Sequence, residues 1–286
     1  MSAATNTATS TRSRLAGRRS RLTGERPVEG ATPDSLLALH DAGYREVVAR
    51  LGHGIVLDVG CGVGAQTRRL AADRRLVLGV DYSAATALAA GREHGSGSLR
   101  FAGMDGSHLG MRDRVADAAV SSHIIEHFRY PERHVAELAR VLADDGVAFI
   151  ITPNAPADFE NPFHIYLFEP EQLTSMLRLF FADVEILGIE GDDVLHADFA
   201  ARRASGEKLL RLDPLRLRQR FGRGAYVWAY EHALPRVYRV IGRDASGIGS
   251  GIDDRHLFVT TSIAPTTPVL FAIARRPRRF PRRSEF

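Results

Sequence analysis

The residues with the clearest chemical potential are the glycines of Val56-Leu57-Asp58-Val59-Gly60-Cys61-Gly62-Val63-Gly64. An apolar run that turns sharply through three residues without side chains lets the backbone come close to a ligand. The helix start expected behind it presents N–H groups to that ligand. Such a turn predicts a nucleotide-type ligand. Gly60-Cys61-Gly62-Val63-Gly64-Ala65 also satisfies G-x-G-x-x-G/A, and Asp81 ends the next apolar run about 20 residues on, as in dinucleotide folds. The glycines alone therefore leave a nicotinamide dinucleotide open.

Two acids narrow the choice. Asp58 stands two residues before the first glycine, facing a pocket where a pyrophosphate would be repelled and the ammonium of a methionine moiety attracted. Asp105, in Met104-Asp105-Gly106, follows the third apolar run and is placed to accept from an adenine amino group. Together with Val80-Asp81 and Ser121-Ser122-His123-Ile124-Ile125-Glu126-His127-Phe128, these stretches resemble the successive motifs of class I S-adenosylmethionine-dependent methyltransferases, and within them the small-molecule branch typified by quinone-biosynthesis enzymes. The resemblance implies S-adenosyl-L-methionine as cofactor. Gly60 and Gly62 would contact its amino-acid end, Asp81 the ribose hydroxyls and Asp105 the adenine. Gly64, Tyr82 and Gly106 would accompany them, while Ser122 and His123 would line the wall beyond the fourth strand. The resemblance covers residues 53–153, continues more weakly to Ile189, and supplies almost nothing beyond 190.

His123-Ile124-Ile125-Glu126-His127 literally matches H-x-x-E-H, a zinc-peptidase pattern that needs two histidines one turn apart on a helix. Here the segment follows an apolar strand instead. Glu126 and His127 are expected to fix that strand's exit loop, and the transfer reaction requires no metal. Asp158 and His164 lie in the Pro-rich, aromatic stretch 152–168, which follows the fifth strand's carboxyl end, where doubly wound folds bind ligands. If a hydroxyl is methylated, His127, His164 or Asp158 is the candidate to accept its proton. A further cluster, Tyr226, Trp228, Tyr230, Glu231, His232 and Tyr238, reads first as packing for a cap helix and second as a surface that stacks on an apolar or sugar-bearing substrate.

The elements that must position these residues follow from periodicity. Apolar runs at 55–59, 76–80, 99–102, 116–121, 147–152, 184–189 and 269–274 predict seven strands. Helical patterns at 34–50, 65–73, 84–93, 132–143 and 170–180 alternate with them, and Asp144-Asp145-Gly146 reads as a stop and turn. The fold class is α/β: a doubly wound, Rossmann-like, mostly parallel sheet. Residues 1–30 read as a flexible arm, 31–190 as the core with an N-terminal cover helix, and 191–267 as an insertion shaping the substrate pocket. That insertion carries helix-like material at 196–220 and 226–242, a Gly-rich loop at 247–251 and a short strand at 257–261. The last core strand occupies 268–276, with a basic tail at 277–286.

Composition bounds partners. The chain has 286 residues, 44% of them hydrophobic, and a net charge of +4. Six arginines before residue 27 and six after residue 274 account for the basic excess; the rest holds 26 basic against 32 acidic residues. An acidic body argues against a nucleic-acid face. The tails read as solubilising ends, or as a weak attraction to anionic lipid or an acidic partner. Cys61 is the single cysteine, so no internal disulfide forms, and no apolar run is long enough to span a membrane. A cytoplasmic enzyme acting on a small-molecule or lipid-linked acceptor by O-methylation is the expectation. An RNA methyltransferase, a nicotinamide-dependent oxidoreductase and a non-catalytic S-adenosylmethionine-binding protein are the alternatives.

Overall fold

The computed structural model describes residues 32–158, 164–210 and 249–279. Helix α1 (Asp34–Arg50) leads into β1 (Gly54–Val59), β2 (Arg75–Asp81), α2 (Ala84–His94), β3 (Leu99–Gly103) and β4 (Ala116–Ser122). Then follow α3 (Pro131–Val141), β5 (Leu142–Pro153), α4 (Pro170–Phe180), β6 (Phe181–Gly191), α5 (Asp193–Leu210), β7 (Leu257–Thr260) and β8 (Val269–Pro277). The sheet order is β3-β2-β1-β4-β5-β8-β6-β7. Strands β1 to β5 pair in parallel, whereas β8 runs antiparallel between β5 and β6.

The sheet has eight strands where seven were expected. The short run at 257–261 pairs antiparallel with the end of β6, Gly191 opposite Leu257, and so becomes an edge strand rather than a detached piece of the insertion. The helix expected at 65–73 is a single 3-10 turn, Thr67–Leu70. Only Thr67 and Leu70 of it face the core, too few anchors for a longer amphipathic helix. Asp144-Asp145-Gly146 is not a turn outside the sheet: α3 runs directly into β5, and the pairing of β4 with β5 shifts register there. Residues 143–146 are the extra residues of that irregularity.

Side chains alternate between two cores, one on each sheet face. Val56, Val120, Phe149, Ile151 and Phe271 pack under α1; Leu57, Ala119, Ile150, Leu270 and Ala272 pack against α3 and α4. In α1, Ser35, Ala38, Leu39, Ala42, Gly43 and Val47 recur at three- and four-residue intervals and form its buried stripe. Helix α3 opens with Pro131 at its first turn, and α4 is held by a reciprocal cap between Glu169 and Gln172 behind Pro170.

The ends of the chain differ from the expected loose tails in one respect. Arg279 donates to the carbonyls of Ala139 and Leu142 and pairs with Asp144 at 2.6 Å, and Arg278 bonds the Phe181 carbonyl. The basic stretch therefore begins as part of the fold, because carbonyls at the α3–β5 junction accept its guanidiniums. Residues 1–31 and 280–286 lie outside the described residues, as do the helix at 226–242 and the cluster from Tyr226 to Tyr238. The Gly-rich loop is anchored, with Gly249 and Gly251 donating backbone N–H groups to Asp34. Arg45 of α1 reaches the carbonyls of Asp254 and Leu257. Among the described residues no helix is long and apolar enough to cross a membrane.

Phe149 is 1% exposed and its ring lies parallel to that of Phe271 at 6.1 Å. Phe149→Ala should cost about 3–5 kcal/mol of unfolding free energy in urea titrations, through lost burial and a cavity beneath α1.

Candidate active site

Parallel pairing places Val59 opposite both Val80 and Ser121, Asp81 opposite Gly103, and Ser122 opposite Ile151. All four motifs therefore leave the sheet at the same edge. Strand order reverses between β1 and β4, and the carboxyl-end crevice at such a point is where open α/β sheets bind ligands.

The turn after β1 has Gly60, Gly62 and Gly64 at φ of 84°, 52° and 81°, the left-handed region that favours glycine. Their needs differ. A Cβ on Gly60 would lie 2.3 Å from Ile124, and one on Gly64 2.8 Å from Phe101, so these two glycines serve packing. Around Gly62 a Cβ would meet nothing within 4 Å. That open side is a cradle for a ligand approaching the backbone. The N–H groups of Gly60 and Cys61 both donate to the Val80 carbonyl, which fixes the turn over β2.

Asp81 is buried at the end of β2, and its Oδ1 accepts from the Ser83 backbone at 2.9 Å. Tyr82 beside it is 70% exposed. Asp105 is exposed, and Ser107 donates to it through both backbone and hydroxyl, which holds its carboxyl below the ordinary range. Gly106 is packed so closely that a Cβ would lie 3.0 Å from Val59. Ser122 Oγ and His123 Nε2 are buried without hydrogen-bond partners, polar atoms lining the wall where a ligand was expected.

Asp58 does not open onto the crevice. It is fully buried and accepts from the Tyr44 hydroxyl at 2.9 Å, so it ties α1 to β1. Burial raises its pKa to about 6 against the hydrogen bonding of Thr67 and Tyr44. Any pull on a cofactor ammonium would act across the turn rather than by contact.

His134, in the buried stripe of α3, was not singled out by sequence. It bonds the Gly106 carbonyl through Nδ1 and the Ser121 hydroxyl through Nε2, both at 2.8 Å, and stacks on Phe128. The carbonyl requires Nδ1 to donate, and because burial disfavours the charged ring, Nε2 then accepts from Ser121. Burial lowers its pKa to about 4. It clamps the loop after β3 to β4. Nothing in a helical pattern distinguishes such a histidine from one facing solvent.

Beyond β4 the chain leaves the sheet through His123 at φ 52°, followed by a 3-10 turn at Ile125–His127. This turn sends the two histidines of the H-x-x-E-H pattern to different partners. His123 packs on His40, ring centroids 4.3 Å apart, and His127 packs edge-on to His164 at 5.2 Å. A paired-histidine zinc-peptidase site is thereby absent. Glu126 is fully buried, as an exit-loop brace should be. Its backbone carbonyl accepts from Ile165 and Tyr166, and its Oε2 accepts from Thr152 at 3.1 Å. Burial would raise its carboxyl, but neighbouring His123, His127 and His164 outweigh burial and hold it near about 2. His164 Nδ1 lies 2.9 Å from Asp158 Oδ2. The structure thus brings together His127, His164 and Asp158 at the carboxyl ends of β4 and β5.

Residues 57–150 match the family described as a methyltransferase domain. A Mycolicibacterium smegmatis protein named "Probable S-adenosylmethionine-dependent methyltransferase" is 30% identical over 181 residues, covering 61% of this chain and 67% of the relative. The chain belongs to the S-adenosylmethionine-dependent methyltransferases. A Mycobacterium tuberculosis protein carrying the same description is also 30% identical, over 59% of this methyltransferase and 64% of its own length. Two solved structures share the fold. A Thermotoga maritima SAM-dependent methyltransferase matches with a TM-score of 0.54 at 14% identity, over 84% of this chain and 90% of that one. The cyclase SpnF matches at 0.51 and 22% identity, over 84% and 80%. Membership makes S-adenosylmethionine the cofactor, and the open Gly62 cradle with the carboxylates at the ends of β2 and β3 fits that cationic, adenosine-bearing molecule.

Replacing Gly62 by valine puts a side chain into open space at a backbone cost of about 1–3 kcal/mol. Gly62→Val should therefore fold yet weaken S-adenosylmethionine binding about ten- to a hundredfold, as should Asp81→Ala, which removes charge-assisted hydrogen bonding. Unchanged calorimetric affinity in both variants would overturn the cofactor-site assignment.

Two of the buried titrating groups, His134 and Asp58, pull stability in opposite directions. His134, near about 4 when folded against an ordinary 6.5, refuses a proton the unfolded chain accepts, so its contribution is full above 6.5 and lost as pH falls to 4. Asp58, raised from 3.8 to about 6, contributes fully below 3.8 and loses that contribution as pH rises to 6. Each is worth about 3 kcal/mol across its window. In urea titrations between pH 4 and 6, stability should rise more steeply with pH in Asp58→Asn than in the unsubstituted protein, and less steeply in His134→Gln.

Proposed function

We propose that this methyltransferase transfers a methyl group to a hydroxyl oxygen of a small-molecule or lipid-linked metabolite. The observation that carries the reading is the contact between Asp158 and His164 beside His127, at the strand ends next to the cofactor crevice. An amine can attack in its neutral form and lose its proton afterwards, whereas an alcohol is a weak nucleophile until its proton is leaving. A carboxylate-oriented histidine suits the second case.

S-adenosylmethionine, when bound, supplies an electrophilic methyl on a sulfonium. On this reading Gly60, Gly62 and Gly64 hold its amino-acid end, Asp81 and Tyr82 the ribose, and Asp105 and Gly106 the adenine. Asp58 adds negative charge beneath the turn. Ser122 and His123 separate this crevice from the acceptor. His164 keeps its Nδ1 proton on Asp158, and on this reading Nε2 takes the acceptor's hydroxyl proton as the oxygen–carbon bond forms and the methyl–sulfur bond breaks, releasing S-adenosylhomocysteine. His127 packs against that ring and limits its rotation. Much of the rate then comes from alignment of oxygen and methyl within the enclosed edge, with the base adding about 10²–10⁴-fold. Residues 27–279, which include the arginines of β8 and its end, hold 30 basic against 32 acidic residues, without the basic excess that an RNA acceptor favours.

The experiment is incubation with methyl-labelled S-adenosylmethionine and fractionated cell metabolites, followed by NMR of the labelled product. An O-methyl product is expected, with kcat reduced about 10²–10⁴-fold in His164→Gln and Asp158→Asn while cofactor affinity is retained. An N- or C-methyl product, or full turnover in both variants, would overturn the reading.

A further inference from the structure

One carboxylate in the acceptor region is left over by the acid–base reading. Glu126 is fully buried, Thr152 satisfies its Oε2, and its Oε1 has no hydrogen-bond partner. His123 Nδ1 stands 3.7 Å from it, too far for a hydrogen bond. A buried carboxylate oxygen without a partner is costly unless something charged meets it. Ligating atoms of Glu126, His127 and His164 all lie within 4.8 Å of one another. We infer that Glu126, His127 and His164 form a binding site for one divalent transition-metal cation at the acceptor end of the crevice.

The chemistry of the set supports a cation of this class. Two imidazoles and one carboxylate suit zinc and its first-row neighbours, and leave a coordination position open. Bonds of about 2.0–2.2 Å would bring the ligand atoms to about 3.3 Å apart, against the present separations of up to 4.8 Å. The supporting groups are also in place. Asp158 accepts from His164 Nδ1 at 2.9 Å, which turns Nε2 toward a cation in the carboxylate–histidine–metal arrangement. Thr152 occupies Oε2 of Glu126 and leaves Oε1 for the metal. The ligand set is not the His123–His127 pair of the H-x-x-E-H pattern. It is made by β4's exit meeting the segment after β5, where Ile165 and Tyr166 donate to the Glu126 carbonyl.

This deepens the preceding reading by naming what the acceptor must offer: an oxygen able to enter the open position, as in a hydroxyl flanked by a second oxygen. A bound cation would acidify the hydroxyl and His164 would be a ligand rather than the proton's first recipient; the proton would leave to solvent as the oxygen–carbon bond forms and the methyl–sulfur bond breaks, releasing S-adenosylhomocysteine.

The test uses the full chain stripped with a chelator. Titration with Co²⁺ should give visible d–d absorption saturating at one cation per chain, and Zn²⁺ should compete for it. His164→Gln and His127→Gln should each remove the saturable absorption. Asp158→Asn, which keeps all three ligands, should weaken binding about 10–100-fold. His256→Gln, altering a histidine paired with Asp192 elsewhere in the fold, should leave it unchanged. Absence of stoichiometric Co²⁺ and Zn²⁺ binding, or binding unaltered in both ligand variants, overturns the metal site. If no metal binds yet His164→Gln still slows O-methylation, the metal inference fails and the acid–base reading stands. If metal binds with this variant pattern but the product is N-methylated, the site stands and the oxygen acceptor falls.

Discussion

Everything placed at the working edge depends on the parallel pairing of β1 with β4, Val59 opposite Ser121. That register carries two sharp exits to the same edge of the sheet. One is the glycine turn after β1; the other is the left-handed His123 after β4. A slip of one residue would send every inward side chain of a strand to the opposite face. Because both faces of these strands are buried, such a slip would expose one core and pack the other with the wrong residues. The two cores therefore lock the edge, and the edge holds the chemistry.

Three buried polar groups connect this edge to the surrounding helices, and each joins elements far apart in sequence. Tyr44 and Asp58 join α1 to β1, His134 joins α3 to β4 and the loop after β3, and Glu126 joins the exit of β4 to β5 and to the segment at 164–166. A low-dielectric interior makes each hydrogen bond strong and each unpaired atom expensive. These groups hold loops that apolar packing alone would leave free to slide. They also divide the edge into one side rich in glycine and carboxylate and another rich in histidine. The fold itself does not dictate that division, since a cyclase shares it; the function lies in the side chains set on it.

The sequence by itself determined an adenosine-bearing ligand and the parallel core, while the family match selected S-adenosylmethionine within that class. Glycines spaced after an apolar run, with acids ending the next two runs, can do little else than border an adenosine-bearing ligand, and period-two and period-3.6 patterns located α1, α2, α3, α4 and seven strands. These are local signals, set by backbone conformation and burial over a few residues. The 65–73 stretch failed because its pattern did not reveal that only Thr67 and Leu70 would find a core to face. Tertiary structure decided what depends on distance across the sheet. It turned Asp58 from a pocket-facing charge into a buried brace, recruited His134, drew the 257–260 strand onto β6, and parted His123 from His127. It also brought Asp158 and His164 to Glu126 and His127 across more than thirty residues of chain. No periodicity encodes such a meeting, because it arises only when β4 and β5 pair in register and their exits converge.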